Sequence, residues 1–173
     1  MDVAVLVLSS VIILFSFVVF FGAPYLPTKR VQADEAIRLL GLKKGETLLE
    51  LGAGDGTIAL RALKHGLKVT AIELNPLLCL VIYIRTFAYR KKIKVVCGNF
   101  WHVSWGEYDG VYVFLLDKYM NKLHNKLIHN HFKGRLVSFA FKIPLIKTQT
   151  ESKGLFVYNY SAKQYTKERK STL

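Results

Sequence analysis

Glu50-Leu51-Gly52-Ala53-Gly54-Asp55-Gly56 is the stretch on which the fold turns. It closes an apolar run, Thr47 to Leu51, that reads as a buried strand, and it opens Thr57 to Lys64, which reads as a helix. Glycines at a strand-to-helix turn let backbone approach a ligand with no side chain between them. A tight turn with no ligand is the alternative reading of the same residues.

The spacing here is G-x-G-x-G. Dinucleotide binders carry G-x-G-x-x-G, and Thr57 stands where their third glycine would fall. The turn also holds two acids, Glu50 and Asp55. Carboxylates repel a pyrophosphate but attract a ligand with an ammonium and a sulfonium. S-adenosylmethionine has both. Glu73, at the end of the next strand pattern and 23 residues beyond Glu50, is placed to accept two ribose hydroxyls.

Working outward, Ala33, Ala36, Ile37 and Leu40 follow helical spacing, with Gly41 as the stop. Strands are expected at Val69–Glu73, Ile93–Cys97, Val111–Leu116, Arg135–Phe141 and Leu155–Tyr160. Helices are expected at Pro76–Arg90, with Pro in the first turn, and at Asp117–Asn130. Alternation of this kind implies an α/β fold with a mostly parallel sheet, helices on both faces, and a site at the carboxyl ends of the strands.

Before this domain, Val3 to Phe21 carries no charge and as a helix would span roughly 30 Å, the thickness of a bilayer core. No basic residue precedes it, and bulky Phe20 and Phe21 precede Gly22-Ala23, which argues for an uncleaved anchor over a signal peptide. The expected organisation is an anchor at 1–23, a connector at 24–32 stiffened by Pro24 and Pro27, a catalytic domain at 33–162 and a basic tail at 163–173. Lys29, Arg30 and the basic remainder follow the anchor, which puts a single-pass protein's domain on the cytoplasmic side. The 173 residues carry a net charge of +13, which suits an anionic lipid surface, nucleic acid or an acidic protein; beside a bilayer the lipid surface is the simplest partner. Cys79 and Cys97 sit in apolar stretches and read as buried, reduced thiols.

With these residues in view, the chain resembles the class I methyltransferases, and more narrowly the small membrane-anchored protein-lysine methyltransferases that modify the ATP synthase c-subunit and the adenine nucleotide translocase. The resemblance rests on Pro24-Tyr25-Leu26-Pro27-Thr28, the glycine turn, Glu73-Leu74-Asn75-Pro76 and Gly98-Asn99-Phe100-Trp101-His102-Val103, and runs from Pro24 to about Phe141. It implies a Rossmann-like sheet with an antiparallel C-terminal strand. It implies a cofactor wall of Glu50, Gly52, Ala53, Gly54, Asp55, Glu73, Leu74, Asn99 and Phe100. Within it Glu50, Gly52 and Gly54 would line the methionine end, Glu73 would hold the ribose, and Asn99 and Phe100 would border the adenine.

Three departures stand out. Asn99 replaces the family's usual Asp, Thr57 its usual Arg, and Ala140-Phe141-Lys142-Ile143-Pro144 an Arg-Phe-Pro-Phe-Pro type segment. Leu115-Leu116-Asp117 is not the Asn-Pro-Pro-Tyr type of enzymes that methylate base or amide nitrogens, which argues against nucleic acid as substrate. Asp117 reads as a helix N-cap, as a substrate contact, or as both. Lys118, Lys122 and Lys126 form a basic ridge that suits either solvent or anionic lipid. His124, His129 and His131 read as surface residues, and no metal site is expected. Trp101 and Trp105 read as core, with a pocket wall as the alternative for Trp101. The leading expectation is lysine methylation on a membrane protein near the cytoplasmic surface. A lipid headgroup or small amine as acceptor, or an inactive membrane-tethered binding protein, are the alternatives.

Overall fold

The computed structural model describes residues 2–10, 12 and 28–160. Residues 28–160 form a seven-stranded sheet in the order β3-β2-β1-β4-β5-β7-β6. The strands are β1 (Thr47–Leu51), β2 (Lys68–Glu73), β3 (Ile93–Cys97), β4 (Gly110–Val113), β5 (Arg135–Phe139), β6 (Thr150–Ser152) and β7 (Leu155–Asn159). β1 to β5 run parallel, and β7 is antiparallel to both its neighbours, β5 and β6. The helices are α1 (Arg30–Leu40), α2 (Thr57–Lys64), α3 (Pro76–Thr86) and α4 (Met120–His129). The Rossmann-like α/β sheet and its antiparallel C-terminal strand stand as expected.

Side chains alternate across the sheet and build a core on each face. Leu48, Ala71, Tyr112, Val137 and Val157 meet α1, α2 and Ile82 of α3 on one face. Leu49, Leu51, Ile72, Val111, Val113, Leu136 and Tyr158 meet Met120, Leu123 and Leu127 of α4 on the other. Full burial of one such aliphatic side chain stabilises the fold by about 1.5–3 kcal/mol.

Several element ends differ from the sequence reading, each for a local reason. α1 begins at Arg30, upstream of the expected Ala33, and ends at Gly41 in the left-handed region, as expected. β4 stops at Val113, and β5 stops before Ala140, whose φ of 68° no strand accommodates. The helix from Pro76 gives way to a 3-10 turn at Phe87–Tyr89, after Thr86 Oγ1 bonds the Ile82 carbonyl at 2.7 Å. The helix expected from Asp117 starts as a 3-10 turn, Asp117–Tyr119. β6 is absent from the sequence reading because Thr150-Glu151-Ser152 is short, polar and at the sheet edge. The positive φ angles of Lys153 (51°) and Gly154 (77°) make the two-residue turn that joins it to β7.

Cys79 is buried as expected, and burial pushes its thiol up to about 12, whereas Cys97 is exposed. Both are free thiols. Cys97 ends β3, which among the described residues is an edge strand of the sheet. Residues 3–10 are helical with exposed apolar side chains. Among the described residues no helix is long and apolar enough to cross a membrane. Most of the expected anchor (residues 1, 11 and 13–23), residues 24–27 of the connector including Pro24 and Pro27, and the tail lie outside the described residues.

Candidate cofactor site

The carboxyl ends of β1, β2 and β3 gather most of the expected site residues. Gly52, Gly54 and Gly56 all have positive φ, 74°, 56° and 74°. Two of them have opposite surroundings. A Cβ at Gly56 would press Ile82 of α3 at 3.0 Å, so this glycine lets α2 and α3 close on each other. A Cβ at Gly52 would meet nothing within 4 Å. Gly52 faces open space, while its N–H and that of Ala53 are held by the Ile72 carbonyl at 2.9 and 3.0 Å. The turn is thus pinned to β2 from behind and bare in front.

Glu73 does the other half of the pinning. Its carboxylate accepts from Gly54 N–H at 2.8 Å and Asn75 N–H at 2.9 Å. Each oxygen keeps a lone pair for a further donor. Asn75 caps α3 by accepting from Leu77 N–H at 2.9 Å. Leu74 between them is half-buried. Gly98 N–H bonds the Glu73 carbonyl at 2.8 Å, which sets the start of the next loop.

Glu50 is 2% exposed, and its Oε2 has no hydrogen-bond partner. Burial holds its carboxyl well above the usual carboxylate range. The Ala59 backbone amide pulls the other way, and the Asp55 and Glu73 carboxylates add to the upward push. Beside it in register on β4 is Tyr112. Its buried hydroxyl also lacks a hydrogen bond of normal geometry, although Thr28 lies next to it, and burial raises its pKa as well. Gln32 Oε1, on the first turn of α1, is the third buried polar atom without a partner among the described residues. A protein interior leaves few such atoms unpaired. Tyr112 and Gln32 are not among the residues singled out from sequence. The strand register that sets Tyr112 beside Glu50 is a long-range fact with no local motif.

Asp55 has a different fate. It accepts from Thr57 N–H at 3.1 Å and Thr57 Oγ1 at 3.0 Å, and it pairs with Arg85 of α3. Thr57, standing in the family's Arg position, is thus the first residue of α2 and donates twice to Asp55, while the N-cap itself, Gly56, makes no side-chain cap. Asn99 is half-buried, and its Oδ1 accepts from Trp101 N–H at 3.0 Å, so the side chain shapes the loop in which it sits. Phe100 packs against Trp101 at 4.7 Å between ring centroids.

The loop after β3 is held by two lysines of the basic ridge, Lys122 and Lys126. Lys122 lies over the Trp101 ring at 4.5 Å, and Lys126 over Trp105 at 4.7 Å. Lys126 Nζ also donates to the Trp101 carbonyl at 2.8 Å. The ridge is therefore in part a clamp, because α4 lies directly under this loop. Trp105 is buried core, its Nε1 donating to the Phe100 carbonyl at 3.0 Å, and Trp101 is half-buried. His124 is buried, not at the surface: α4 turns it inward to Tyr160, 2.8 Å away. His129 and His131 are exposed as read. No metal-binding group of His, Cys, Asp or Glu occurs among the described residues. Asp117 is exposed and makes no side-chain cap, because it falls inside the 3-10 turn and not before a helix. In the divergent segment, Lys142 pairs with Glu151 at 2.6 Å, and Ile143 N–H donates to the Tyr158 hydroxyl at 2.9 Å.

Buried, unpartnered acceptors beside a bare glycine turn, with a carboxylate at the end of the next strand, fit an amino-acid-bearing nucleoside. The family model for the ANTKMT methyltransferase domain matches residues 50–150, more than half of the chain. The chain belongs to the ANTKMT methyltransferase domain family. The human lysine N-methyltransferase of the ATP synthase c-subunit is 32% identical over 126 residues, covering 70% of this chain and 53% of that protein. The probable ribosomal RNA small subunit methyltransferase A of Methanosarcina mazei is 28% identical over 109 residues, covering 63% of this chain and 40% of that protein. The crystal structure of an RNA methyltransferase from Salinibacter ruber in complex with S-adenosyl-L-homocysteine superposes with a TM-score of 0.74 at 22% identity. It covers 79% of this chain and 95% of that one, and the likeness shows the fold. The chain spans about half the length of the curated relatives it matches. As a member of the ANTKMT methyltransferase domain family it carries a methyltransferase domain whose cofactor is S-adenosylmethionine.

Proposed function

We propose that this chain is a protein-lysine N-methyltransferase acting on a membrane protein close to the cytoplasmic bilayer surface. The observation that carries the reading is the unpartnered, buried Oε2 of Glu50 behind the glycine turn. An acceptor in that state is satisfied by a ligand's ammonium, which S-adenosylmethionine brings on its methionine end. The relatives named as lysine N-methyltransferases supply the acceptor class. The uncharged run from Val3 to Phe21, read as a single-pass anchor, supplies the location.

In this reading Glu50 and Tyr112 receive the ammonium. Gly52, Ala53 and Gly54 present bare backbone to the methionine chain. Glu73 accepts from the ribose through the lone pairs that Gly54 and Asn75 leave open. Leu74, Asn99 and Phe100 border the adenine, and Asp55 holds the turn in shape through Thr57 and Arg85. S-adenosylmethionine, when bound, supplies a methyl group on a sulfonium, open to in-line attack by a neutral amine. The chain's part is alignment and exclusion of water, the work of Phe100 and the clamped Trp101–Trp105 loop. Asp117, exposed beyond the end of β4, draws a lysine ammonium to the mouth, and its proton leaves to solvent there.

Full-length protein mixed with tritiated S-adenosylmethionine and membranes from a strain lacking it tests this. A labelled protein band is expected, methylated at lysine by mass spectrometry and absent with Glu73→Ala. Label in the organic phase would move the acceptor to a lipid headgroup. No label anywhere, with no cofactor binding by calorimetry, would leave an inactive binding protein.

A further inference from the structure

Helix α3 buries only Cys79, Ile82 and Thr86 against the sheet. Its outer side is as apolar as its inner side. Leu80 (55% exposed), Tyr83 (52%), Ile84 (65%) and Phe87 (50%) recur at i, i+3, i+4 and i+7, and Val81 (37%) borders them. That spacing makes one continuous stripe facing away from the core. Apolar residues scattered singly on a surface need no explanation, but a contiguous stripe on one helix marks an interaction site. A helix apolar all round is normally buried on all sides, and among the described residues this one is covered on one.

The stripe has a basic rim. Arg90, Lys91, Lys92 and Lys94 follow it directly, all are exposed, and no ion pair among the described residues engages them. From Leu74 to Gly106 the chain has no Asp or Glu. At the junction of stripe and rim is a cleft of about 150 Å³ lined by Tyr83, Thr86, Phe87, Arg90, Ile93 and Val95, with the Arg90 guanidinium 5.0 Å from the centre of the Phe87 ring.

We propose that the outer face of α3 docks on an anionic lipid bilayer, with Leu80, Tyr83, Ile84 and Phe87 entering the interface and Arg90, Lys91, Lys92 and Lys94 meeting the headgroup phosphates. Apolar side chains flanked by Lys and Arg is the composition of an interfacial helix. The basic rim decides among occupants. A second copy docking by a two-fold axis would set these four cations against four more. The N-terminal run from Val3 to Phe21 has no acid to meet them. An anionic membrane supplies both the apolar and the charged halves. The proposal does not depend on which acceptor is methylated. It does bear on reach: α3 starts three residues after Glu73 and is tied to the glycine turn by Arg85–Asp55, so a docked α3 holds the cofactor site beside the membrane.

The test uses the full chain in lipid nanodiscs, with Cys97→Ser and Ile84→Cys labelled by a polarity-sensitive fluorophore. Cys79 is buried and stays unlabelled. The N-terminal run is present in every disc, so the readout isolates α3. In discs with about 30 mol% phosphatidylglycerol, the label shifts to the blue, and spin-labelled lipid quenches it about threefold more than in neutral phosphatidylcholine discs. The gain is lost in high salt and in the Arg90→Glu/Lys91→Glu/Lys92→Glu variant. A label at Lys133→Cys, elsewhere on the surface, stays in water, and Leu80→Cys repeats the result if Ile84→Cys fails to fold. A label at 84 that stays in water in both discs overturns the proposal. So does equal shielding in neutral discs, which would assign the stripe to the chain's own N-terminal run. A shift that depends on protein concentration and not on lipid charge would assign it to a second copy.

Discussion

Two glutamates of similar burial, Glu35 on α1 and Glu50 on β1, are treated in opposite ways. Glu35 is 9% exposed and fully partnered: Arg38 donates to both its oxygens at 2.6 and 2.9 Å, and Ser152 of β6 donates at 2.6 Å. Those hydrogen bonds, Arg38 first, hold its carboxyl down at about 2. Among the described residues Glu50 has no cation beside it and an oxygen with no partner, and two further carboxylates nearby push its pKa the same way as burial. The difference separates a carboxylate that fastens α1 to the sheet edge from one kept ready for a cation the chain does not itself contain. Strain of the second kind is what functional sites store.

Glu50→Gln is the change with the largest expected effect, and it moves two quantities in opposite directions. Cofactor affinity falls about 10–100-fold by calorimetry, the worth of a charge-assisted hydrogen bond of about 1.5–3 kcal/mol. Stability rises. The folded carboxyl binds its proton more tightly than the unfolded one, whose pKa is near 4.5. Stability therefore falls as pH rises from about 4.5 toward the folded pKa, and the Gln variant is spared that loss. A higher Tm at neutral pH is expected by differential scanning calorimetry, with the gain shrinking as pH drops toward 4.5. A variant that binds normally, or that melts lower, would make Glu50 a structural residue like Glu35.

Glu35→Gln is the mirror image. Its folded pKa is depressed, so its stabilising effect is present above about 4.5 and lost as pH falls toward 2. The variant melts lower than the parent at neutral pH, the gap closes on acidification, and cofactor affinity is unchanged. A loss of affinity would break the contrast between the two sites.

The contrast also marks what is readable from sequence. Glu50, the glycines and Glu73 are legible because backbone turns and strand ends leave local patterns, G-x-G-x-G and Glu-Leu-Asn-Pro. That β1, β2 and β3 run parallel follows from alternation, whereas the order of the strands and the place of β4 beside β1 do not, since no helix separates β3 from β4. Glu35 is invisible, since its partner Ser152 is 117 residues away on a strand too short and polar to be seen. His124 is misplaced and the ring contacts of Lys122 and Lys126 are unforeseen for the same reason: helical spacing tells which residues share a face, not that Trp101, Trp105 and Tyr160 wait opposite. The apolar outside of α3 reads simply as helix, because periodicity cannot say which side lacks a neighbour.

Tyr112→Phe sharpens the comparison with the smallest step. The hydroxyl is buried beside Glu50 without a normal hydrogen bond, so removing it leaves the apo fold no worse and spares the desolvation of an unpaired group. An unchanged or slightly higher Tm is expected. With S-adenosylhomocysteine bound, the lost acceptor costs about 1 kcal/mol, or about fivefold in Kd. The amino-acid end is the part that Tyr112 would reach. 5′-Methylthioadenosine, which lacks that end, should therefore bind the parent and Tyr112→Phe equally well. If both ligands weaken together, Tyr112 acts through the shape of β4 and not on the ammonium, and Glu50 stands alone as the acceptor. If only S-adenosylhomocysteine weakens, the register pair on β1 and β4 is one functional unit, built from a motif residue and a partner that the sheet alone could bring to it.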